Sequence, residues 1–256
     1  IQGIAGSGKT TVALHRLAWL LHAENSDLKA DNAVVLVKNN SLRTYISQTL
    51  PSMDVHGVKI LTFTEWAINH LNNINKRFNR ENYLKNTEEP ASSIMRLKNS
   101  LALLKSIENQ TEAEIDDLIY QLENKVEWNN LPSGLKVVFE TLKNSEAAFA
   151  PLALLQSLKN AFIDASKKIP SSHPKFSGIN LGLSVLDELA SIHSDFSRTL
   201  ISVLQNSKLL LSNDETKLLD QEIISRYLGE LKQALTSNKL GHGDEVLLLR
   251  IAQIKL

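Results

Sequence analysis

A glycine-rich segment near the start of the chain has the residue types and spacing that hold a phosphate group. Residues 3–10, GIAGSGKT, match the pattern of a phosphate-binding loop in full. Glycines permit backbone angles and close approach that a β-carbon would block, so successive N–H groups can face phosphate oxygens. In such a loop Lys9 reaches the β- and γ-phosphates as a point charge, and the Thr10 hydroxyl ligates Mg²⁺. The segment therefore predicts a nucleotide-binding site.

The predicted site extends into the helix that follows the loop, because the positive end of the helix dipole points to the same place. Lys9 and Thr10 are the candidate catalytic residues, and Thr10 is also the candidate Mg²⁺ ligand. The candidate nucleotide-binding residues are Gly3, Ala5, Gly6, Ser7, Gly8, Lys9, Thr10 and Thr11. The pattern by itself fits a kinase, a GTPase, a motor or a helicase.

The elements around the loop have the order of a parallel α/β sheet. Apolar residues at helical spacing predict helices over residues 10–22 and 41–50. Runs rich in β-branched residues predict strands over 33–37 and 58–63, and we expect the first of these to be buried. Only two residues precede the loop, so we expect the strand before it to be incomplete. Alternating strands and helices predict a parallel sheet.

Beyond residue 72 the sequence pattern is almost entirely helical. Apolar residues recur at helical spacing through most of this part, and strand signals nearly vanish. We predict that residues 1–72 form an α/β nucleotide-binding unit and that residues 73–240 are mostly helical, with a candidate hinge at 171–178.

Local patterns in the helical part predict a loop, a helix and a capping box. The segment SSHPKFSG, residues 171–178, is predicted to be a loop because proline, glycine and serine cluster there. Residues 185–204 are predicted to form one helix. Ser212 and Glu215 have the spacing of a capping box at the start of an apolar helix face that includes Leu218.

The aromatic and basic residues give no nucleic-acid footprint on their own. Trp19, Trp66 and Trp128 are too far apart in sequence to predict a stacking ladder, so we expect each to be buried. Basic residues of the middle region alternate with glutamates, and we assign them to a solvated face. These residues are Arg77, Arg80, Lys85, Arg96 and Lys98.

Composition excludes several classes of function. The 256 residues include no cysteine, which rules out disulfides, thiolate zinc sites and thiol catalysis and fits a reducing compartment. Lysine plus arginine and aspartate plus glutamate both count 28, so net charge does not point to nucleic acid or membrane. No apolar run approaches the roughly 20 residues of a membrane helix. We expect a cytoplasmic protein without a membrane partner.

Four segments carry a resemblance to one family. Residues 1–21, IQGIAGSGKTTVALHRLAWLL, resemble the first motif of UvrD/Rep-type superfamily 1 DNA helicases, most of all the HelD (helicase IV-like, RNA polymerase-associated) branch. Residues 34–51 resemble the next motif, with Lys38 where the family has proline. The matching positions there are Asn39, Tyr45, Ile46, Ser47, Leu50 and Pro51. Residues 58–67, VKILTFTEWA, resemble the third motif, and 243–255 weakly resemble the helix before the family's Asp-Glu-x-Gln-Asp strand.

The resemblance implies an α/β P-loop NTPase fold with an incomplete RecA-like parallel sheet and a large, mostly α-helical insertion. Residues 1–72 would be the first part of the RecA-like domain, residues 73–240 the insertion, and residues 241–256 the return toward the RecA-like domain. It implies ATP and Mg²⁺ as ligands and single-stranded DNA as a partner of the full-length protein. Asn39, Thr62 and Phe63 occupy positions that face nucleic acid in these helicases. The residues alone are equally compatible with a turn at Asn39 and a core position for Phe63.

The function implied is the ATP-binding part of an ATP-dependent DNA helicase or translocase. One alternative is a HelD-like ATPase that remodels or recycles RNA polymerase, with the insertion docking on the polymerase. A second is a P-loop small-molecule kinase, which would need an acidic base such as Asp54 or Glu65. The family's acidic Mg²⁺ ligands and arginine finger are not found in this sequence. We therefore expect weak nucleotide binding and no efficient hydrolysis by this chain alone.

Overall fold

The computed structural model describes residues 2, 4, 6–74, 91–145, 150–237 and 239–256. Two residues of the predicted nucleotide site and three of the predicted solvated face lie outside the described residues. They are Gly3, Ala5, Arg77, Arg80 and Lys85. The chain divides into two compact units, Ile1–His70 and Leu71–Leu256.

The first unit is built on a short parallel sheet. Its elements are α1 (Lys9–Leu21), β1 (Val34–Val37), α2 (Asn40–Thr49), β2 (Lys59–Thr62) and α3 (Phe63–Ile74), with single 3-10 turns at Ala30–Asn32 and Leu50–Met53; α3 continues into the second unit. In the sheet β1 and β2 are parallel, and Val37 at the end of β1 is paired with Thr62 at the end of β2. The predicted strand and helix order from α1 to β2 is confirmed.

One face of β1 packs against helices and the other does not. Val37 is buried in a cluster with Leu14 of α1 and Ile46 of α2, because alternate strand residues point to the same face of a sheet. Val34 and Leu36 point to the opposite face and remain 42% and 46% exposed. The prediction of a buried strand is therefore wrong for this face. A parallel strand is buried on both faces only where helices cover both.

The second unit is helical throughout its described residues. Its helices are α4 (Ser92–Lys98), α5 (Leu101–Lys125), α6 (Ser133–Lys143), α7 (Pro151–Lys168), α8 (Pro174–His193), α9 (Phe196–Gln205), α10 (Ser207–Ser212), α11 (Gln221–Thr236) and α12 (Asp244–Lys255), with a 3-10 turn at Trp128–Asn130. Residues of α5 to α8 share one apolar core around Phe139 and Phe162. The Trp128 ring stacks on Phe139 with centroids 4.7 Å apart. None of the described helices has the length and apolar character that crossing a membrane would demand.

Two sequence predictions about helix boundaries in this unit are wrong. Helix α8 begins at Pro174, so the second half of the predicted loop 171–178 is helical. Proline suits the first helical turn because its missing N–H would have no acceptor there. The predicted single helix 185–204 is interrupted at Ser194 and Asp195, between α8 and α9.

The predicted capping box at Ser212 is also wrong. Ser212 is the last residue of α10, and its hydroxyl donates to the Leu209 carbonyl at 2.7 Å. The next helix, α11, begins at Asp220 instead, whose carboxylate accepts from the Ile223 N–H at 2.8 Å. Aspartate serves the same capping purpose as serine because its oxygen satisfies an otherwise unpaired N–H. Leu218, assigned to the buried face, is 60% exposed.

A buried ionic network joins α4, α11 and α12. The Lys98 ammonium lies 2.7 Å from the Asp244 carboxylate, and the two side chains are only 4% and 2% exposed. Tyr227 donates its hydroxyl to the same carboxylate at 2.6 Å, and the Gly241 N–H donates to its other oxygen at 2.8 Å. Lys98 also donates to the His242 carbonyl at 2.8 Å. The assignment of Lys98 to a solvated face is therefore wrong.

A second buried polar group lies where α5, α8, α9 and α12 meet. Lys255 lies 2.5 Å from the Glu114 carboxylate, which also accepts from the Thr199 hydroxyl at 3.1 Å. His193 is 4% exposed, and its Nδ1 is buried without a hydrogen-bond partner among the described residues. Desolvation by burial, with the positive charge of Lys255 adding to it, lowers the pKa of His193 to about 4. The imidazole is neutral at neutral pH.

Candidate nucleotide and nucleic-acid site

The described part of the glycine loop has the backbone that phosphate binding requires. Gly6 and Gly8 have φ values of 78° and 74°, in the left-handed region that favours glycine. A β-carbon built on either glycine would have no described atom within 4 Å beyond its chain neighbours, so the described part of the loop leaves the space above its backbone open. The Ser7 N–H donates to the Ile4 carbonyl at 3.3 Å and closes the turn. The loop therefore presents an open backbone surface rather than a packed turn.

Helix α1 starts at this loop with Gly8 as its N-cap. Within the described residues no side chain caps this end of the helix, and the first turn has no acidic residue. The first N–H groups of a helix lack acceptors within the helix, so an anion at this end is stabilised. Thr10 and Thr11 lie in this first turn and are exposed. This arrangement fits the phosphates of a nucleotide.

Lys9 folds back over the loop. Its ammonium donates to the Ile4 carbonyl at 2.6 Å and lies 3.4 Å from the Ser7 hydroxyl. These neutral oxygens hold the cation beside the loop, where a phosphate oxygen would be a stronger, charge-assisted acceptor. The described residues Gly6, Ser7, Gly8 and Lys9 thus fit a polyphosphate group.

The carboxyl edge of the sheet brings the three nucleic-acid candidates near one another. Val37 and Thr62 are paired in register, so the residues that follow them, Lys38 and Phe63, leave the sheet at the same edge. Asn39 follows Lys38, and its side-chain oxygen accepts from the Leu42 N–H at 2.9 Å as the N-cap of α2. Asn39 therefore caps α2, which agrees with the turn that the sequence also allowed at this position.

Thr62 forms a capping box at the start of α3. Its hydroxyl accepts from the Glu65 N–H at 3.2 Å, and the Glu65 carboxylate accepts from the Thr62 N–H at 2.9 Å. The guanidinium of Arg43 in α2 pairs with the same carboxylate. The Thr-x-x-Glu spacing of Thr62 and Glu65 is the signal of this capping box in the sequence, although the box is not among the predictions above. Thr62 and Glu65 thereby fix the backbone from which Phe63 projects.

Three aromatic rings follow one another along α3. Phe63 is 40% exposed and its ring centroid lies 5.7 Å from that of Trp66. Trp66 is half-buried and stacks on the exposed His70, again at 5.7 Å. Phe63 therefore does not occupy a core position. The prediction that Trp19 is buried is also wrong, because Trp19 is 58% exposed on α1.

The glycine loop ahead of α1 and the parallel strands define a P-loop nucleotide-binding protein. A family model for the UvrD/REP helicase N-terminal domain matches residues 1–251. The chain belongs to this family, which supplies the ATPase part of superfamily 1 ATP-dependent helicases and implies a RecA-like P-loop fold. Members of the family use ATP and act on DNA. Neither the curated proteins nor the solved structures include a match to this chain.

Proposed function

We propose that this chain binds ATP with Mg²⁺ as part of a DNA translocase that moves along single-stranded DNA. The observation that carries the proposal is the open glycine loop with Lys9 folded over it at the uncapped start of α1. A cytoplasmic location is part of the proposal, since a cysteine-free sequence fits a reducing compartment.

In this proposal, residues of the glycine loop and of the first turn of α1 hold the triphosphate together. Backbone N–H groups from Gly6 to Thr10 would surround the phosphate oxygens, and the Lys9 ammonium would neutralise charge on them. The Thr10 hydroxyl would hold Mg²⁺, with Gly3, Ala5 and Thr11 completing the loop contacts. ATP supplies the free energy for movement through transfer of its γ-phosphoryl group to water. Asn39, Thr62 and Phe63 form the DNA-facing edge in this proposal.

Replacing Lys9 with alanine tests the nucleotide site. Loss of a charge-assisted contact to phosphate costs about 1.5–3 kcal/mol, so we expect the affinity for a fluorescent ATP analogue with Mg²⁺ to fall roughly tenfold or more. Lys29→Ala is the matched control, because Lys29 is an exposed lysine of the same unit outside the loop. Titration of all three proteins measures the effect. Equal affinity for Lys9→Ala and wild type would contradict the proposed site.

Hydrolysis by this chain is expected to be inefficient. The sequence contains no Asp-Glu-x-Gln-Asp motif, so the acidic residues that hold Mg²⁺ and activate water in these helicases have no counterpart in it. Phosphate release should stay near background with and without single-stranded DNA. Turnover comparable with that of complete helicases of the family would contradict this expectation.

A HelD-like ATPase that remodels or recycles RNA polymerase is the second candidate, and the surface of the helical unit favours it. Many of the basic side chains on this surface form ion pairs with acidic ones. These pairs are Lys105–Glu215, Lys125–Glu188, Lys143–Glu123, Lys159–Asp187, Lys167–Asp164, Arg226–Glu230 and Arg250–Glu108. A neutral, mixed surface suits a protein partner better than DNA. Co-purification of RNA polymerase core enzyme with the full chain tests it, and DNA binding without polymerase binding would count against it.

The kinase alternative receives no support from its two candidate bases. Glu65 is buried and engaged by Thr62 and Arg43, and the Asp54 side chain is fully exposed at a left-handed turn. We do not propose it.

A further inference from the structure

The aromatic residues of α3 form one stripe along the helix. Phe63, Trp66 and His70 are spaced three and four residues apart, so they lie on the same side of α3. The Phe63 and Trp66 rings are tilted by 43°, whereas Trp66 and His70 are nearly parallel at 17°. Ile68 lies on the opposite side of α3 and is fully buried, whereas Ala67, four residues after Phe63, is buried beside the stripe. The stripe therefore borders the face that α3 buries.

The stripe is held in place, and its two outer rings are exposed. The capping box of Thr62 and Glu65, with the Arg43 ion pair, fixes the first turn of α3. Phe63 and His70 are exposed, and Trp66 is half-buried between them. From Phe63 to His70 the helix rises about 10 Å, which equals about three base steps of 3.4 Å.

A positive charge lies at the end of this stripe. Lys38 follows β1 where Phe63 follows β2, and the pairing of Val37 with Thr62 makes these two positions neighbours at the sheet edge. Lys38 is exposed, and within the described stretches of the chain no acidic side chain forms an ion pair with it. An exposed lysine at the position next to the first ring of the stripe is complementary to a strand that combines phosphates with bases.

We propose that Trp66 and His70 extend the contact made by Phe63 into a stacking platform for single-stranded nucleic acid, and that Lys38 contacts its phosphate backbone. This rests on the proposed function, because it adds residues to the same DNA-facing edge. Every base has a π-face, so the platform accepts single strands with little preference for sequence. Paired bases in a duplex cannot reach it.

The test is binding of a fluorescently labelled oligothymidylate of about 12 nucleotides to the full chain. Stacking contributes about 1–3 kcal/mol per base by alanine substitution, so Trp66→Ala and His70→Ala should each lower affinity about fivefold or more. Trp66→Phe should retain most of the affinity, since it keeps a ring. Trp19→Ala is the control, because Trp19 is exposed on α1 outside the stripe.

Salt dependence separates the two kinds of contact. Removing one phosphate contact lowers the slope of log affinity against log salt by about 0.7 for a single strand. Lys38→Ala should show this smaller slope, whereas Trp66→Ala should keep the wild-type slope. Lys29→Ala should change neither the affinity nor the slope.

Several outcomes would overturn the proposal: no detectable oligonucleotide binding by wild type, losses no larger than that of Trp19→Ala, or equally tight binding of duplex DNA. Circular dichroism and ATP-analogue binding of each variant establish that it is folded. The stripe variants could bind the oligonucleotide normally while nucleotide binding still depends on Lys9. This result would contradict the platform but not the proposed function. If oligonucleotide binding depends on the stripe but the chain binds no nucleotide, the platform stands and the proposed ATP-binding function is contradicted.

Discussion

Replacing Lys98 with alanine is expected to lower the free energy of unfolding of the helical unit by about 3–5 kcal/mol. The variant leaves the Asp244 carboxylate buried without its cation, and the hydrogen bonds from Tyr227 and Gly241 cannot replace a full charge. Burial already raises the pKa of Asp244, chiefly by desolvation, although Lys98 opposes the shift. Without Lys98 the pKa should rise further, so the loss should be larger at about pH 8 than at about pH 5. Chemical denaturation followed by circular dichroism measures it.

Lys105→Ala is the matched control for this substitution. Lys105 pairs with Glu215 at 2.6 Å, close to the distance in the buried pair, but both side chains are exposed. Exposed pairs contribute about 0–1 kcal/mol, because water screens them. Similar losses for the two variants would show that the buried network does not stabilise the unit. The double variant Lys98→Met with Asp244→Asn should recover part of the loss, since no unpaired charge remains.

His193 is expected to make the stability of the helical unit fall as pH falls from about 6.5 to about 4. The unfolded chain takes up the proton near the ordinary value of 6.5, whereas the buried imidazole resists it until about 4. This difference corresponds to about 3 kcal/mol. The contribution is fully present above pH 6.5 and is lost progressively toward pH 4. Denaturation curves of wild type and His193→Gln across this range measure it, and the variant should show a shallower decline.

A buried residue that does not titrate provides the control for His193. Leu189 lies on the same helix, α8, and is fully buried. Leu189→Ala should lower stability by about 2–5 kcal/mol at every pH and keep the wild-type pH dependence. If His193→Gln also keeps the wild-type pH dependence, the imidazole is not the group that titrates. The charged residues around it, Lys255, Glu114, Arg198 and Asp117, stay in place in both variants.

Local sequence patterns predict the helices and strands of the first unit from α1 to β2. The helices and strands from α1 to β2 begin and end within one residue or so of their predicted bounds, because each is a short segment with a clear apolar period. The ends of the helices in the second unit are less predictable from local patterns. The pattern around Pro174 predicts a loop, but this residue starts a helix; Ser212 has the spacing of an N-cap, but it ends a helix. Both residue types suit either position, so packing of the neighbouring helices decides.

The phosphate loop follows from local sequence, since glycine spacing encodes backbone angles locally and Lys9 follows within the same turn. Membership in a family of P-loop helicases also follows from the sequence, over residues 1–251. The burial of Lys98 depends on the fold, because its acceptor carbonyl at His242 lies 144 residues away. The same holds for His193, whose charged neighbours come from three other helices, and for Lys38, whose position becomes adjacent to that of Phe63 only through strand pairing. Burial and charge environment depend on contacts distant in sequence, and no local pattern encodes them.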